Sequence, residues 1–377
     1  MTSRTILHLT DRLSRRGGAD WHLAGVIDAQ SPKESVALAV GRRDASGVAM
    51  CPVHVVTGLD ARQAKPCDLI PLVDELCPDV IHVHNVVNPR VLQWAAQRGA
   101  VMTIQDHRSF CPGRGKWMAD GTVCRKRMGG DQCRACFDDD AYFTDILALT
   151  EERLAAVQNM AAITVLSQYM RDELILVGVP PERIHVIPPF VHELKATNTP
   201  ADGAPCVLVV GRLVESKGIQ DAIDAWREAD TTLPLVFVGD GPLRDVIESQ
   251  GLQVTGWVNH EQLAAWYRRA QALLIPSRWQ EPFGIVSIEA LTFQVPVVAY
   301  DSGGIREWHP GPGLVAMGDV AALSNALDEC LGQPVVPKHA FKRGEATAAL
   351  ERVYEEGAGL NGTNPCTARP NGAGCAP

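Results

Sequence analysis

The sequence predicts an α/β protein made of two doubly wound domains, each a mostly parallel sheet with helices on both faces. Three observations predict it. Short apolar β-like runs alternate with helical stretches along most of the chain, the pattern of parallel sheets joined by helical crossovers. The chain has 377 residues, 46% of them hydrophobic and 21% charged, more than one core normally spans; single cores stop growing near ~250–300 residues. Finally, Glu193 to Pro205 is rich in Thr, Pro, Ala and Gly and reads as a linker between two series of strands.

The first series comprises Ile6 to Leu9, Val36 to Val40, Val53 to Val56, Val80 to Val83, Val101 to Ile104, Ala162 to Leu166 and Ile184 to Ile187. The second comprises Cys206 to Val210, Leu235 to Val238, Gln253 to Thr255, Ala272 to Ile275 and Val295 to Ala299. The expected domains are 1–195, which contains a Cys-rich loop at 106–137, and 204–340, followed by a helix at 341–356. The tail 357–377, rich in Gly, Pro, Asn and Thr, has the composition of a disordered segment, and its Asn361-Gly362-Thr363 matters only in a secreted protein.

A net charge of -9 argues against nucleic acid as the main partner. The local basic group Arg12, Arg15 and Arg16 reads first as a solvated face. No apolar run approaches the ~18 residues needed to span a bilayer, and Met1 to Thr10 reads as a strand rather than a signal peptide. The expectation is a cytoplasmic protein with at most peripheral association at the inner face of a membrane.

Eleven cysteines, an odd number spread over a long chain, are expected to be mostly reduced. Cys111, Cys124, Cys133 and Cys136 share one polar, basic, Gly-rich segment, and the last two form Cys-x-x-Cys. Such a cluster can hold a structural zinc tetrahedrally, or stand as unliganded thiols or a redox-labile pair.

The most informative segment reads Glu-Pro-Phe-Gly-Ile-Val-Ser-Ile-Glu from Glu281 to Glu289. The apolar run before it ends at Pro276, and Gly284 opens a helix whose first amides, on Gly284, Ile285 and Val286, lack internal acceptors and suit a phosphate. Of the two carboxylates, one can accept hydrogen bonds from ribose hydroxyls and the other from a sugar, charge-assisted bonds being roughly twice as strong as neutral ones. Two solvated glutamates are the competing reading.

Ligands of open parallel sheets gather beyond the carboxyl ends of the strands, and the other motifs fall in such places. Gly17 and Gly18 permit close backbone approach, although an ordinary turn needs the same residues. After Val210, Arg212 offers a planar fork and Lys217 a point charge for a diphosphate. This is no Walker loop, because Lys217 precedes its glycine. Gly239-Asp240-Gly241-Pro242 resembles part of a dinucleotide fingerprint but has Arg244 at the third glycine's place, which disfavours hydride transfer. Trp257 can face a nucleobase or pack in a core. His84 and Asn85 end a strand on the presumed ligand side, where the histidine either serves the acceptor or packs satisfied near the core, and Asp11, at the end of the first strand, allows the same two readings.

In combination these motifs resemble the retaining glycosyltransferases of family 4. The resemblance covers roughly residues 4–356 and is strongest in 211–218, 238–244 and 276–284, with Gly17 to His22, Pro78 to Asn85 and Gly178 to Ile184 in the first half. It implies the GT-B fold, two Rossmann-like doubly wound domains facing across a cleft, and transfer of a sugar from a nucleotide-diphosphate sugar to a carbohydrate, lipid-linked or small-molecule acceptor.

By that resemblance Arg212 and Lys217 hold the diphosphate, Glu289 the ribose and Glu281 the transferred sugar. Amides from Gly284 to Val286 meet sugar and phosphates, while Gly17, Gly18, Gly239, Trp257 and Phe283 join the donor site. His84, Asn85 and Asp106 lie on the acceptor side. Electrostatic stabilisation of the leaving nucleotide by these cations and amides implies no catalytic metal. The family's usual His-Asp after the fifth strand is here Gln105-Asp106, with His107 following; either Gln105 takes the sugar contact or His107 reaches in. Ile187-Pro188-Pro189-Phe190 departs as well. Alternatives are another GT-B enzyme, such as a nucleotide-sugar epimerase or a phosphorylase, or a non-catalytic nucleotide-sugar binding module.

Overall fold

The computed structural model describes residues 3–14, 17–44, 47, 49–62, 68–191, 203–337, 339 and 341–361. Arg15, Arg16, most of the expected linker at 193–205 and the tail from 362 lie outside the described residues.

The chain forms two units, residues 1–115, 125–190 and 342–377, and residues 116–124 with 191–341. The first holds seven strands: β1 Thr5–Leu13, β2 Ser35–Arg43, β3 Val53–Val55, β4 Val80–Val83, β5 Val101–Ile104, β6 Ala162–Val165 and β7 Ile184–Val186. All pair in parallel, in the order β3-β2-β1-β4-β5-β6-β7. The period of two in a strand explains their apolar content. Leu7, Ile81, Met102 and Ile163 enter one core with Val91, Leu92, Leu154 and Val157, whereas their neighbours Ile6, Val80, Val101 and Ala162 enter another on the opposite face with Val26, Leu350 and Val353. The C-terminal helix, Arg343–Asn361, therefore belongs to the first unit and runs past the expected end at residue 356.

A polar spine threads the first unit. His8 Nδ1 meets His84 Nε2 at 2.9 Å and His8 Nε2 meets Gln30 Oε1 at 2.8 Å. His82 bonds the Tyr354 hydroxyl and Thr103 Oγ1, each at 2.7 Å. Burial holds all three imidazoles neutral, His8 down at about 4 and the other two well below the usual histidine value, with the neighbouring imidazoles adding to the effect at His82 and His84.

The second unit holds β8 Cys206–Val210, β9 Leu235–Val238, β10 Gln253–Val254, β11 Ala270–Ile275, β12 Val297–Tyr300 and β13 Leu314–Val315, parallel in the order β10-β9-β8-β11-β12-β13. Its core joins Val207, Val209, Phe237, Leu274 and Val298 to Ala222, Ile223, Leu323 and Leu327. Two residues between glycine-rich turns carry no periodic signal, which is why β13 is absent from the sequence reading. Part of the expected Cys-rich loop, 116–124, belongs with this unit, where Trp117 and Val123 form an antiparallel bridge.

Strand order reverses between β1 and β4 in one sheet and between β8 and β11 in the other, and these switch points are where ligands of such sheets bind. No helix among the described residues is long and apolar enough to cross a membrane.

Candidate functional site

At the switch point of the second sheet, the loops after β8 and β11 are locked together. Gly218 has φ +67, and a Cβ there would lie 1.8 Å from the Pro276 carbonyl oxygen, so only glycine fits. The amides of Arg278 and Trp279 donate to the Ser216 carbonyl at 3.0 and 3.1 Å, and the Arg278 fork grips Asp221 at 2.8 and 2.7 Å. Closure brings Lys217 Nζ to 2.6 Å from Glu281 Oε1, which also accepts from Ser277 Oγ at 2.5 Å. Lys217 lies 4.7 Å from the centroid of the Trp279 ring. Burial alone would raise the Glu281 pKa, but the Lys217 ammonium, with bonds from Ser277 and Trp279, outweighs it and holds the carboxyl below its usual value. Glu281 is thus an ionised acceptor, not a proton donor. Arg212 is exposed and has no ion-pair partner among the described residues.

The Glu281 backbone is clamped as well. Its carbonyl accepts the Gly304 amide at 2.8 Å, and a Cβ on Gly303, φ +58, would lie 2.1 Å from that oxygen. Sequence reading missed this Gly303-Gly304 turn, although a glycine pair just after an apolar run was a usable signal. Three residues beyond Glu281, Gly284 in the left-handed region (φ 87) precedes the helix Ile285–Thr292, which has no side-chain cap. The first-turn amides of Ile285 and Val286 are thereby left for a ligand.

Glu289 is buried on that helix. Its Oε1 lies 3.1 Å from His260 Nε2 and its Oε2 accepts from the Tyr267 hydroxyl at 3.0 Å. Burial and the Glu289 charge push the Tyr267 pKa well above its usual value, keeping it a donor. Gly239 and Phe283 serve the scaffold: Gly239 packs its α-carbon against the Gly211 carbonyl, where a Cβ would sit 1.9 Å away. The Phe283 ring is buried against Trp308 and Phe341, and its carbonyl accepts from Trp308 Nε1 at 2.6 Å. Trp257, 48% exposed, keeps an aromatic face in solvent.

In the first unit Gly17 is the N-cap of the helix Gly18–Gln30, with no heavy atom within 4 Å of where a Cβ would stand. Gln105 is buried; its Nε2 lies 2.8 Å from His22 Nδ1, and its Oε1 has no partner. The expected alternative, His107, is turned into the core: its Nε2 meets the Tyr169 hydroxyl at 2.9 Å and its ring packs edge-on against Phe110. His84, for which the sequence leaves open an acceptor-side role or packing near the core, is a member of the buried spine.

At this sheet's switch point Asp11, on β1, donates its amide to the Asn85 carbonyl at 2.9 Å, and its Oδ1 accepts from Val87 at 3.0 Å. Asp106 is held by Arg108 through its amide, at 2.9 Å, and Nε, at 2.7 Å. Arg153, 5% exposed on the helix Asp140–Val157, donates only to main-chain carbonyls, Val87 at 2.8 Å and Arg108 at 3.4 Å. Burial, chiefly, pushes Asp11 up to about 6, and burial with the Arg108 and Arg62 charges brings Arg153 down to about 10.

Among the described residues Cys51, Cys111, Cys124, Cys206 and Cys330 carry free thiols, and Cys77 is disulfide-bonded, an exception to the expected reduced state. Among the described residues Cys111, Cys133 and Cys136 are not brought together as a trio with sulfurs within 4.8 Å, and Cys124 belongs to the second unit. His8, His82 and His84 do meet that distance. Their ring nitrogens are already engaged in the spine, His8 with His84 and Gln30 and His82 with Tyr354 and Thr103.

Two parallel sheets of this strand order, each with its loops gathered at a switch point, make up the GT-B architecture. Residues 2–193 match the family described as Glycosyltransferase Family 4, and residues 204–333 match that described as Glycosyl transferases group 1. The chain belongs to glycosyltransferase family 4. It is 31% identical over 188 residues to the alpha-D-kanosaminyltransferase of Streptomyces kanamyceticus, a match spanning 44% of this chain and 48% of that one. It is 31% identical over 296 residues to the glycogen synthase of Mycobacterium tuberculosis, across 74% of this chain and 65% of the relative. Among solved structures it resembles sucrose-phosphate synthase from Thermosynechococcus elongatus, with TM-score 0.62 at 19% identity over 95% of this chain and 98% of that one. Anabaena HepE in complex with UDP-glucose has TM-score 0.61 at 18% identity, over 95% and 94%. At such identities these structures bear on the fold alone.

Proposed function

We propose that the protein transfers a sugar from a nucleotide-diphosphate sugar to a hydroxyl of a carbohydrate, lipid-linked or small-molecule acceptor, with retention at the anomeric centre. The observation that carries this reading is the Lys217–Glu281 pair, fixed at the switch point three residues before an uncapped helix start at Gly284. A diphosphate takes Arg212, the outer face of Lys217 and the Ile285 and Val286 amides. Glu281, ionised and clamped through both side chain and backbone, accepts sugar hydroxyls, and Trp257 offers its ring to the base. The names of the kanosaminyltransferase and the glycogen synthase support the class of reaction.

The bond from the anomeric carbon to the phosphate oxygen breaks as the acceptor oxygen bonds to the same face, and the hydroxyl proton passes to the departing phosphate. Glu281 is tied to Lys217 and serves as no nucleophile. Cations and helix amides offset the charge growing on the leaving group, so transfer is expected to persist in EDTA. A thermal-shift panel of nucleotide sugars tests the reading, because a ligand at 100 times its Kd adds about 2.7 kcal/mol to stability. Absence of a shift with every uridine, guanosine and adenosine diphosphate sugar overturns it.

A further inference from the structure

We propose that the switch point of the first sheet is a subsite for an anionic substituent on the acceptor, a phosphate or a carboxylate, gripped by Arg153 with Asp11 beside it for an acceptor hydroxyl. This rests on the reading of the protein as a glycosyltransferase, and it names the chemistry of its second substrate.

Three independent features converge. Topology places Asp11 and Asn85 where strand order reverses, joined by a 2.9 Å main-chain bond, the position at which such sheets hold ligands. Burial then makes Arg153 unusual. On the helix Asp140–Val157 it shares the buried face with Thr150, Leu154 and Val157, is 5% exposed, and among the described residues has carbonyl oxygens as its only hydrogen-bond acceptors. A buried guanidinium without a carboxylate partner is costly, and neutral carbonyls offset only part of that. The nearby Arg108 adds like charge and is itself committed to Asp106.

Asp11 is the third feature. Its Oδ1 is fixed by the Val87 amide, and it forms no ion pair with Arg153 although the two charges influence each other. Val87 links the two, its amide donating to Asp11 Oδ1 at 3.0 Å and its carbonyl accepting from Arg153 Nε at 2.8 Å, and a carboxylate and a guanidinium held to one residue without an ion pair suit a ligand that takes both, an anion toward the fork and a hydroxyl toward the carboxylate. Asn85 contributes an amide whose side-chain oxygen accepts a 3.4 Å bond from Arg108.

Isothermal titration of the full chain with glucose 6-phosphate, glucuronate and glucose tests this, the first two probes distinguishing phosphate from carboxylate. At least one anionic sugar is expected to bind about tenfold or more tightly than glucose. That preference should vanish in Arg153→Met, persist in part in Arg153→Lys, and survive Arg212→Ala, which removes a cation of the other sheet. Asp11→Asn, by deleting a neighbouring negative charge, should tighten the anion. Equal affinity for glucose and both anions, an anion preference that outlasts Arg153→Met, or loss in Arg212→Ala overturns the proposal. If Arg153→Met does not fold, the opposite signs expected for Arg153→Lys and Asp11→Asn decide it. UDP-glucose titrated in parallel separates the two readings: nucleotide-sugar binding without anion preference sinks this inference alone, and the converse sinks the donor assignment.

Discussion

The two switch points share a topology and differ in electrostatics. In the second sheet the buried carboxylates are met before any ligand arrives, Glu281 by Lys217 at 2.6 Å, Asp221 by Arg278 at 2.7 Å and Glu289 by the Tyr267 hydroxyl at 3.0 Å, and only the exposed Arg212 lacks an ion-pair partner among these groups. In the first sheet Arg153 is buried and Asp11 half-buried, neither with a charged partner within bonding distance among the described residues, and desolvation shifts each toward its neutral form. The difference teaches what each site has to do. A donor site that handles one diphosphate chemistry gains from preorganised groups that need not move, whereas a pair kept apart at the expense of stability holds its strongest interactions for the substrate.

The largest effect should come from Gly218→Ala. The added carbon would meet main chain, the Pro276 carbonyl at 1.8 Å, from a backbone with φ +67, so no side chain can give way. A loss of about 3 kcal/mol or more is expected, together with loss of nucleotide-sugar binding, read by thermal melts with and without UDP-glucose. An unchanged melt would mean that the two loops are not locked and that the prematched site needs another explanation.

Next is Glu281→Gln, which keeps shape and removes the charge that matches Lys217. Transfer should fall about 100-fold or more, while UDP binding, freed of the carboxylate beside Lys217, stays the same or strengthens. Equal loss of UDP binding and transfer would show that Glu281 serves only to hold the loop.

How much of this was legible in the sequence follows the same divide. The alternating pattern yields nearly every strand because parallel strands are buried on both faces, and the motif spacing yields Arg212, Lys217, Glu281 and the helix start at Gly284. It could not show that Lys217 and Glu281 touch, since they lie on loops after different strands. Nor could it separate His107 from Gln105: which of two neighbouring polar residues turns inward depends on Tyr169 and Phe110, remote or silent in the motif. Arg153 gave no signal, because a lone arginine in a helix reads as solvated until its burial is seen. The shared face of Thr150, Leu154 and Val157, spaced by three, four and seven, was the available clue.

A moderate effect of unusual sign is expected from Asp11→Asn. The folded carboxyl, at about 6, is raised above its unfolded value, so its contribution to stability is fully present below about pH 4 and is lost as pH rises through 6. Asparagine escapes that loss, so the variant should be more stable than wild type by on the order of 2 kcal/mol at pH 7.5 and indistinguishable from it near pH 4. Denaturant melts at the two pH values check this. A destabilised variant at pH 7.5 would place Asp11 among the matched charges and erase the contrast between the two switch points.

The smallest change in stability should belong to Arg212→Ala, and for that reason it sharpens the comparison most cleanly. Arg212 is exposed and bonds no carboxylate among the described residues, so the folded chain should lose no more than about 0.5 kcal/mol. Its unpaired state differs from that of Arg153, because in water a guanidinium is already solvated and waits at little cost, whereas in the interior it does not. Removing it should weaken UDP-glucose about tenfold and leave the binding of sugars lacking a nucleotide untouched. A fall in both would end the division of labour between the two switch points.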